Sequence, residues 1–235
     1  MKILVINPVA TDMWNVKDGE YLKGIVSRGT EIEVVSLKKG PESIETFFDE
    51  AYAAPEILKI VEESKNFDAI VINCFGNPAL YAVRDIADIL VLGAGETSMT
   101  IALLLGEKFG VISVLRNSKA QIEMTARRIG ISERLAYAAG IKVPVLNLEK
   151  ENEVIKIVID EAKKAIDKGA EVIVLGCTGM FFLAKDIRKK LNIPVIEPAS
   201  LTLKVAEALT DLRLKHSKIG LYMTPDLKKL ITNKK

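Results

Sequence analysis

The chain has 235 residues, of which 49% are apolar and 27% are charged, enough for one large domain or two small lobes with a buried core. A net charge of +2 and the lack of a basic stripe interleaved with aromatic residues argue against nucleic-acid binding. The first apolar run stops at Asn7-Pro8, and no stretch reaches the ~18 apolar residues of a membrane span. We therefore expect a cytoplasmic protein with reduced thiols and no membrane partner.

Short β-rich apolar runs alternate with helical patterns along the chain, which predicts an α/β protein with parallel sheets. The predicted strands are 2–7, 31–36, 69–73, 88–92, 109–114, 141–146, 171–176, 193–196 and 218–223. The predicted helices are 54–65, 78–87, 96–108, 117–129, 151–167, 179–190 and 199–210. Because most of these strands are continuous apolar runs, both faces of the sheets should be covered by helices.

The two halves of the chain repeat one structural unit. "FDAIVINCFGNPAL" (67–80) and "AEVIVLGCTGMFFL" (170–183) each contain an apolar run, then a cysteine, then a glycine two residues later. After each comes a helix with an Asp-Ile pair and then an Ile-x-Val strand, at the same spacing in both halves. This duplication of about a hundred residues is too long for a solenoid repeat. It predicts two pseudo-symmetric α/β lobes that face each other, with the active site between them.

Cys74 and Cys177, the two cysteines of the chain, hold equivalent places in this repeat. Each directly follows a predicted strand, and ligands of parallel α/β sheets bind at the carboxyl ends of the strands. Gly76 and Gly179 allow close approach of the backbone to a ligand, and a following helix start should lower the thiol pKa. Two thiols on opposite sides of a cleft could remove a proton from one face of a carbon and return one to the other. Such an inversion needs no metal and no cofactor.

Other interpretations of these residues are weaker. A buried structural cysteine is common, and a disulfide is conceivable, but neither explains equivalent placement in a repeat, and a disulfide would remove the catalyst. Gly93-Ala-Gly95 resembles part of a dinucleotide fingerprint, but Ser98 stands where its third glycine should be. The single histidine, His216, lies in a charged stretch and is interpreted as a surface residue, so neither a zinc site nor a Ser-His-Asp triad is expected.

The segments "NCFGNPAL", "LGAGETSMTIAL", "GVISVL", "LGCTGM" and "LRLKHSKIGLY" resemble the hydantoin racemase branch of the aspartate/glutamate racemase superfamily. The resemblance runs from end to end and implies two lobes, with residues 1–97 plus 203–235 in the first and 98–202 in the second. It implies a cofactor-independent racemase or epimerase that acts on a small molecule, with hydantoins or allantoin favoured. The apolar content also allows a homo-oligomer.

The resemblance carries roles to individual residues. Cys74 and Cys177 match the two acid/base thiols, and Asn7 matches a substrate-contacting residue at the end of the first strand. The expected substrate contacts in the loops and at the second-lobe strand end are Phe75, Gly76, Asn77, Ser113, Thr178 and Gly179. The family more often has Asp at position 77 and Thr at position 113, so these two positions bear on the choice of substrate.

Two other functions fit the same residues. One is an amino-acid racemase of the aspartate/glutamate type, or a related isomerase or decarboxylase. The other is a two-lobed small-molecule binding protein or thiol sensor, although the chain has no Cys-x-x-Cys pair. Gly179-Met180 after the second Cys-Thr favours a neutral, ring-like substrate over a zwitterionic amino acid.

Overall fold

The computed structural model describes residues 1–145, 148 and 151–226, the last range without the side chain of residue 151. Its strands are β1 Lys2–Asn7, β2 Glu31–Ser36, β3 Ala69–Ile72, β4 Leu90–Gly93, β5 Phe109–Ser113, β6 Leu135–Gly140, β7 Val172–Leu175 and β8 Val195–Ile196. They form two four-stranded parallel sheets in the equivalent orders β2-β1-β3-β4 and β6-β5-β7-β8. The predicted α/β class, with two matching parallel sheets, is therefore confirmed.

Eight α-helices cover the sheets within the described ranges. They are α1 Met13–Lys23, α2 Phe47–Glu63, α3 Leu80–Ile86, α4 Ala94–Ala102, α5 Ser118–Arg128, α6 Glu151–Asp167, α7 Ala184–Lys190 and α8 Pro198–Asp211. Strands β3, β4, β5 and β7 are buried along their whole length, which agrees with their continuous apolar sequences. Across these ranges, no helix combines the length and the apolarity that a membrane crossing requires.

Two helices are exchanged between the sheets. Helix α4 follows the last strand of the first sheet, yet its Met99 and Ala102 pack on Phe109 and Val111 of the second sheet. Helix α8 follows the last strand of the second sheet, and its Leu203 packs in the core of the first sheet. The exchange binds the two halves to each other through apolar contacts. The lobe boundaries at 97/98 and 202/203 stay a prediction.

The predicted strand at 141–146 is wrong, and residue 146 lies outside the described residues. Strand β6 instead occupies Leu135–Gly140 and pairs with β5. Lys142 has a φ of 61°, a left-handed conformation that ends the strand. Gly140 is required where the chain leaves the sheet, because a Cβ there would overlap the carbonyl oxygen of Leu115.

The predicted strand at 218–223 is also wrong, because residues 218–222 form turns. Ile219 is 95% exposed, so the apolar residues of this segment are not buried by a sheet. The segment lies against helix α3 of the first half, where Lys218 Nζ donates to the carbonyl oxygens of Arg84 and Asp85. His216, expected on the surface, is half-buried, and its Nε2 lies 3.0 Å from the backbone nitrogen of Val91.

Helix boundaries differ from the expected ones where local capping decides them. Helix α2 begins at Phe47, seven residues earlier than expected, because Thr46 and Asp49 form a capping box. Helix α4 begins at Ala94, so the Gly93-Ala-Gly95 stretch is a strand-to-helix junction. Helix α1 was missed because its residues have almost no amphipathic periodicity, and 178–183 form a 3-10 turn ahead of α7.

Candidate active site

A cavity of about 430 Å³ lies where the carboxyl ends of the central strands of both sheets meet. This is the place that parallel α/β sheets use for ligands. Eight of the nine site residues expected from the sequence line it: Asn7, Cys74, Phe75, Gly76, Ser113, Cys177, Thr178 and Gly179. Both cysteines are free and, as whole residues, half-buried, and the structure brings the two thiols of the repeat to one cavity.

Cys74 directly follows the buried strand β3, after Asn73. The chain then turns back, so that the amide of Asn77 donates to the carbonyl oxygen of Cys74 (3.1 Å). The backbone amides of Gly76 and Asn77 also donate to the Cys74 thiol. This loop therefore surrounds one sulfur with N–H donors, which would stabilise a thiolate at that position.

Cys177 follows strand β7 and stands at the start of the 3-10 turn 178–183. The amide of Gly179 donates to its thiol, as the amide of Gly76 does in the first half. The hydroxyl of Thr178 donates across the cavity floor to the carbonyl oxygen of Asn73 (3.1 Å). The loop that holds the second thiol is thus bonded directly to the strand end that holds the first.

Burial dominates the protonation of both thiols. The pKa of Cys74 is raised to about 12, mainly by burial, with the charge of Cys177 acting in the same direction and the amide bonds opposing it. Burial likewise raises the pKa of Cys177 to about 11, with the charges of Asp18 and Glu197 acting in the same direction. The expectation that a helix start lowers the thiol pKa is therefore wrong for the free protein. Helix α3 begins only at Leu80, well beyond Cys74, and the amides at hand do not outweigh desolvation.

A polar network lies below the cavity on the first sheet. The Nδ2 of Asn73 donates to the Oδ1 of Asn7 (2.8 Å) and to the Oδ2 of Asp18 (3.1 Å). Asp18 projects from helix α1 and is 6% exposed, and burial is the main reason that its pKa rises to about 7. Asn7 is thereby held in place at the end of β1. In the second sheet, the Ser113 hydroxyl donates to the carbonyl oxygen of Gly176 (2.7 Å).

Comparison with known proteins adds to this geometry. The sequence pattern of the family described as Asp/Glu/Hydantoin racemase matches residues 3–206. The chain belongs to this racemase family. It is 34% identical to a hydantoin racemase of Pseudomonas sp. (strain NS671), over 98% of this chain and 94% of the relative. It is therefore an isomerase of the racemase type.

Two solved racemase structures are similar over nearly the full chain. An allantoin racemase from Klebsiella pneumoniae has a TM-score of 0.90 at 32% identity, covering 96% of this chain and 94% of the other. An allantoin racemase from Pseudomonas fluorescens has a TM-score of 0.91 at 30% identity, covering 96% and 97%. The two-sheet architecture of this racemase is therefore shared with enzymes of the family.

Asn77 is the one expected site residue that does not line the racemase cavity. Its Oδ1 accepts hydrogen bonds from the amides of Gly95 (3.0 Å) and Glu96 (3.3 Å) at the start of α4. Its Nδ2 donates to the carbonyl oxygen of Phe75 (3.0 Å). Its φ of 58° is a left-handed conformation that Asn tolerates well. The side chain thus fastens the Cys74 loop to helix α4, and only its backbone amide reaches the thiol.

Two acidic residues on the inner part of the racemase cavity were not expected from the sequence, and the exposed Glu42, which also lines the cavity, was a third. Asp18 lies on helix α1, and Glu50 lies on helix α2, near the Cys74 loop. Both stand outside the repeated motifs, so no sequence signal separates them from ordinary helix acids. Their positions depend on how two helices pack over the ends of the strands. Across the described ranges, no group of three or more His, Cys, Asp or Glu residues is arranged to hold a metal ion.

Proposed function

We propose that this racemase inverts a carbon next to a carbonyl group with Cys74 and Cys177 as its two acid/base groups, without a cofactor. One observation carries the proposal: equivalent strand ends of the two sheets place both thiols on one cavity, each with an amide that donates to its sulfur. A racemase needs groups that can transfer protons on both faces of one carbon. The repeat supplies such a pair.

In the proposed step, the thiolate of one cysteine removes the proton from the acidic carbon, and the S–H bond forms as the C–H bond breaks. The electron pair of that C–H bond moves onto the neighbouring carbonyl oxygen, which becomes an enolate. The thiol of the other cysteine then donates its proton to the opposite face of the carbon. The two sulfurs have then exchanged protonation states. The starting state returns either by turnover of the opposite enantiomer or by exchange of the two protons with water. Amides in the two cysteine loops are the candidate donors to the enolate oxygen.

We propose 5-substituted hydantoins or allantoin as the substrates. The similar proteins bear the names hydantoin racemase and allantoin racemase. The cavity also favours a neutral substrate, because the acids Asp18 and Glu50 line it together with the thiols. The described cations that line the cavity, Arg127 and Arg128, are both exposed. The two carboxylates of aspartate or glutamate would meet an acidic inner wall, which a neutral hydantoin tolerates.

The test follows inversion and proton exchange separately. Enantiopure 5-benzylhydantoin in heavy water should lose optical rotation with uptake of one deuterium per inversion. Cys74→Ala and Cys177→Ala should each slow racemisation by about 10²–10⁴-fold. Each single variant keeps one base, so it should still exchange deuterium into one enantiomer, and the two variants should act on opposite enantiomers. Wild-type rates of racemisation in either variant would disprove the two-thiol mechanism.

A parallel screen with allantoin, aspartate and glutamate decides between substrate classes. Turnover of the hydantoins and allantoin with no turnover of the amino acids is the expected result. The reverse pattern would make the protein an amino-acid racemase and would overturn the substrate proposal while leaving the two thiols in place.

A further inference from the structure

Glu50 places a carboxyl group at the wall of the cavity on the Cys74 side. It belongs to the first turns of helix α2, is half-buried and lines the cavity. Its Oε1 fills the space beside Gly76, where a Cβ would come within 2.7 Å of it. The amide of this same Gly76 donates to the Cys74 thiol. The carboxyl group is therefore next to the loop that holds one of the two reacting sulfurs.

Among the residues that the structure describes, this carboxyl group has no hydrogen-bond or ion-pair partner. Within the described ranges, no backbone or side-chain group donates a hydrogen bond to it, and no cation pairs with it. Burial, the largest cause, and the charge of neighbouring Asp49 raise its pKa to about 7. Among the described residues, its oxygens are not fully buried unpaired atoms, so water satisfies them in the free protein, and an N–H group of a bound molecule would take the place of that water.

The proposed reaction limits which part of a substrate can lie beside Glu50. The carbonyl oxygen next to the reacting carbon gains negative charge, so it must be directed away from this carboxylate and towards backbone amides. The two faces of the carbon are taken by the two thiols. What remains for Glu50 is a ring N–H group or the substituent on that carbon. The apolar side chains of Ile44 and Phe47, two further residues of the cavity wall, favour the substituent.

We propose that Glu50 is a specificity-determining residue that selects the substituent on the reacting carbon. Its carboxylate accepts a hydrogen bond from an N–H group of a neutral substituent and repels a substituent that carries its own carboxylate. The inference rests on the proposed function, because it assumes a hydantoin-type ring between the thiols. It adds to the proposed function the residue that selects among hydantoins and the property by which it selects, the charge of the substituent.

The test uses two substrates of nearly equal shape, the hydantoins with 2-carbamoylethyl and 2-carboxyethyl substituents. The ratio of their kcat/KM values is measured at pH 8 in the wild type, in Glu50→Gln and in Glu62→Gln. Glu62 lies on the same helix and is exposed, so its variant is the matched control. Since the ratio is taken within one protein, an overall change in thiol reactivity or in folded fraction cancels.

In the wild type, we expect kcat/KM to be at least tenfold higher for the 2-carbamoylethyl hydantoin than for the 2-carboxyethyl hydantoin, because two like charges placed together are unfavourable. In Glu50→Gln this ratio of kcat/KM values should fall about tenfold or more, because kcat/KM for the 2-carboxyethyl hydantoin rises. In Glu62→Gln the ratio should be the same as in the wild type. An equal ratio in the wild type and Glu50→Gln would overturn the inference. Failure of the wild type to racemise any hydantoin would instead overturn the proposed function.

A second measurement needs no variant. Lowering the pH from 8.5 to 5.5 should narrow the wild-type preference, because Glu50 becomes protonated while the substrate carboxylate, with a pKa of about 4.3, stays charged. Asp18, Glu42 and Cys74 also line the cavity, and Asp49 is the nearest other acid on the helix. The Glu50→Gln variant separates the titration of Glu50 from that of these other groups. Its preference between the two substrates should not change between pH 8.5 and pH 5.5. A preference in the wild type that does not depend on pH would contradict the proposal.

Discussion

Raising the pH should accelerate this racemase far beyond the range in which a typical cysteine enzyme levels off. Catalysis as proposed requires one thiolate and one thiol, but burial holds the pKa of Cys177 at about 11 and that of Cys74 at about 12. At pH 8, about one Cys177 in a thousand is then a thiolate, which corresponds to about 4 kcal/mol of the barrier. Each further pH unit should raise the thiolate fraction about tenfold.

The assay is kcat/KM, because this quantity reports the ionisation of the free enzyme. Between pH 7 and about pH 8.5, below the range in which the imide N–H of the hydantoin ring ionises, log kcat/KM for 5-benzylhydantoin should rise with a slope near one. Spontaneous racemisation also increases with pH, so the protein lacking both cysteines provides the blank at each point. Alkylation by iodoacetamide, followed at each cysteine by mass spectrometry, should show the same slope, with Cys177 reacting faster than Cys74.

A plateau of kcat/KM and of alkylation below about pH 8.5 would refute the reasoning. It would mean that the amides at Gly76 and Gly179 stabilise the thiolates more than burial destabilises them. The two readouts together exclude a trivial explanation, because a plateau in kcat/KM alone could come from a step other than proton removal.

Three further changes test the supports of the site. Asn77→Ala should lower the free energy of unfolding in urea by about 1–2 kcal/mol, because two amides at the start of helix α4 lose their acceptor, and Asn77→Asp should retain most of it. Gly176→Ala would put a Cβ 2.5 Å from that of Ser113 and should cost about 1–3 kcal/mol, whereas Gly220→Ala, with nothing within 4 Å, should be neutral. The pKa of Glu50 is raised in the folded state, so the free energy of unfolding of the wild type should fall as the pH rises from about 4.5 to about 7. After allowance for solvent screening, Glu50→Gln should make this fall smaller by about 1–2 kcal/mol. An equal fall in the wild type and in Glu50→Gln would contradict the raised pKa.

The sequence was most informative where local pattern and tertiary structure agree. Buried parallel strands need continuous β-branched runs, so β1, β3, β5 and β7 could be recognised directly, and the repeat then placed both cysteines at strand ends. The edge strand β6 was missed because "LAYAAG" has little β-propensity, and its pairing with β5 decides its conformation. The predicted strand 141–146 has the better composition but includes the left-handed Lys142.

The chemical environment of the thiols was harder to predict than their location. Asp18 and Glu50 come from helices α1 and α2, whose sequences give no sign that one acid on each faces a cavity. The direction of the thiol pKa shifts depends on desolvation, which only the packed structure defines. The structural role of Asn77 could not be predicted either. The backbone amide of Gly95 that donates to its side chain lies in a helix that the chain reaches eighteen residues later.

The proposed mechanism with two bases needs a fixed spacing between the two thiols, and the exchange of helices would maintain that spacing. Asn77 fastens the Cys74 loop to helix α4, and α4 packs on the second sheet, which carries Cys177. In the opposite direction, Thr178 bonds the Cys177 loop to Asn73 at the end of β3, while α8 packs on the first sheet. Each cysteine loop is thus connected to the other half by hydrogen bonds and through an apolar helix contact. Because a relative movement of the halves would break both kinds of contact, we expect the fold itself to set the spacing of the two sulfurs.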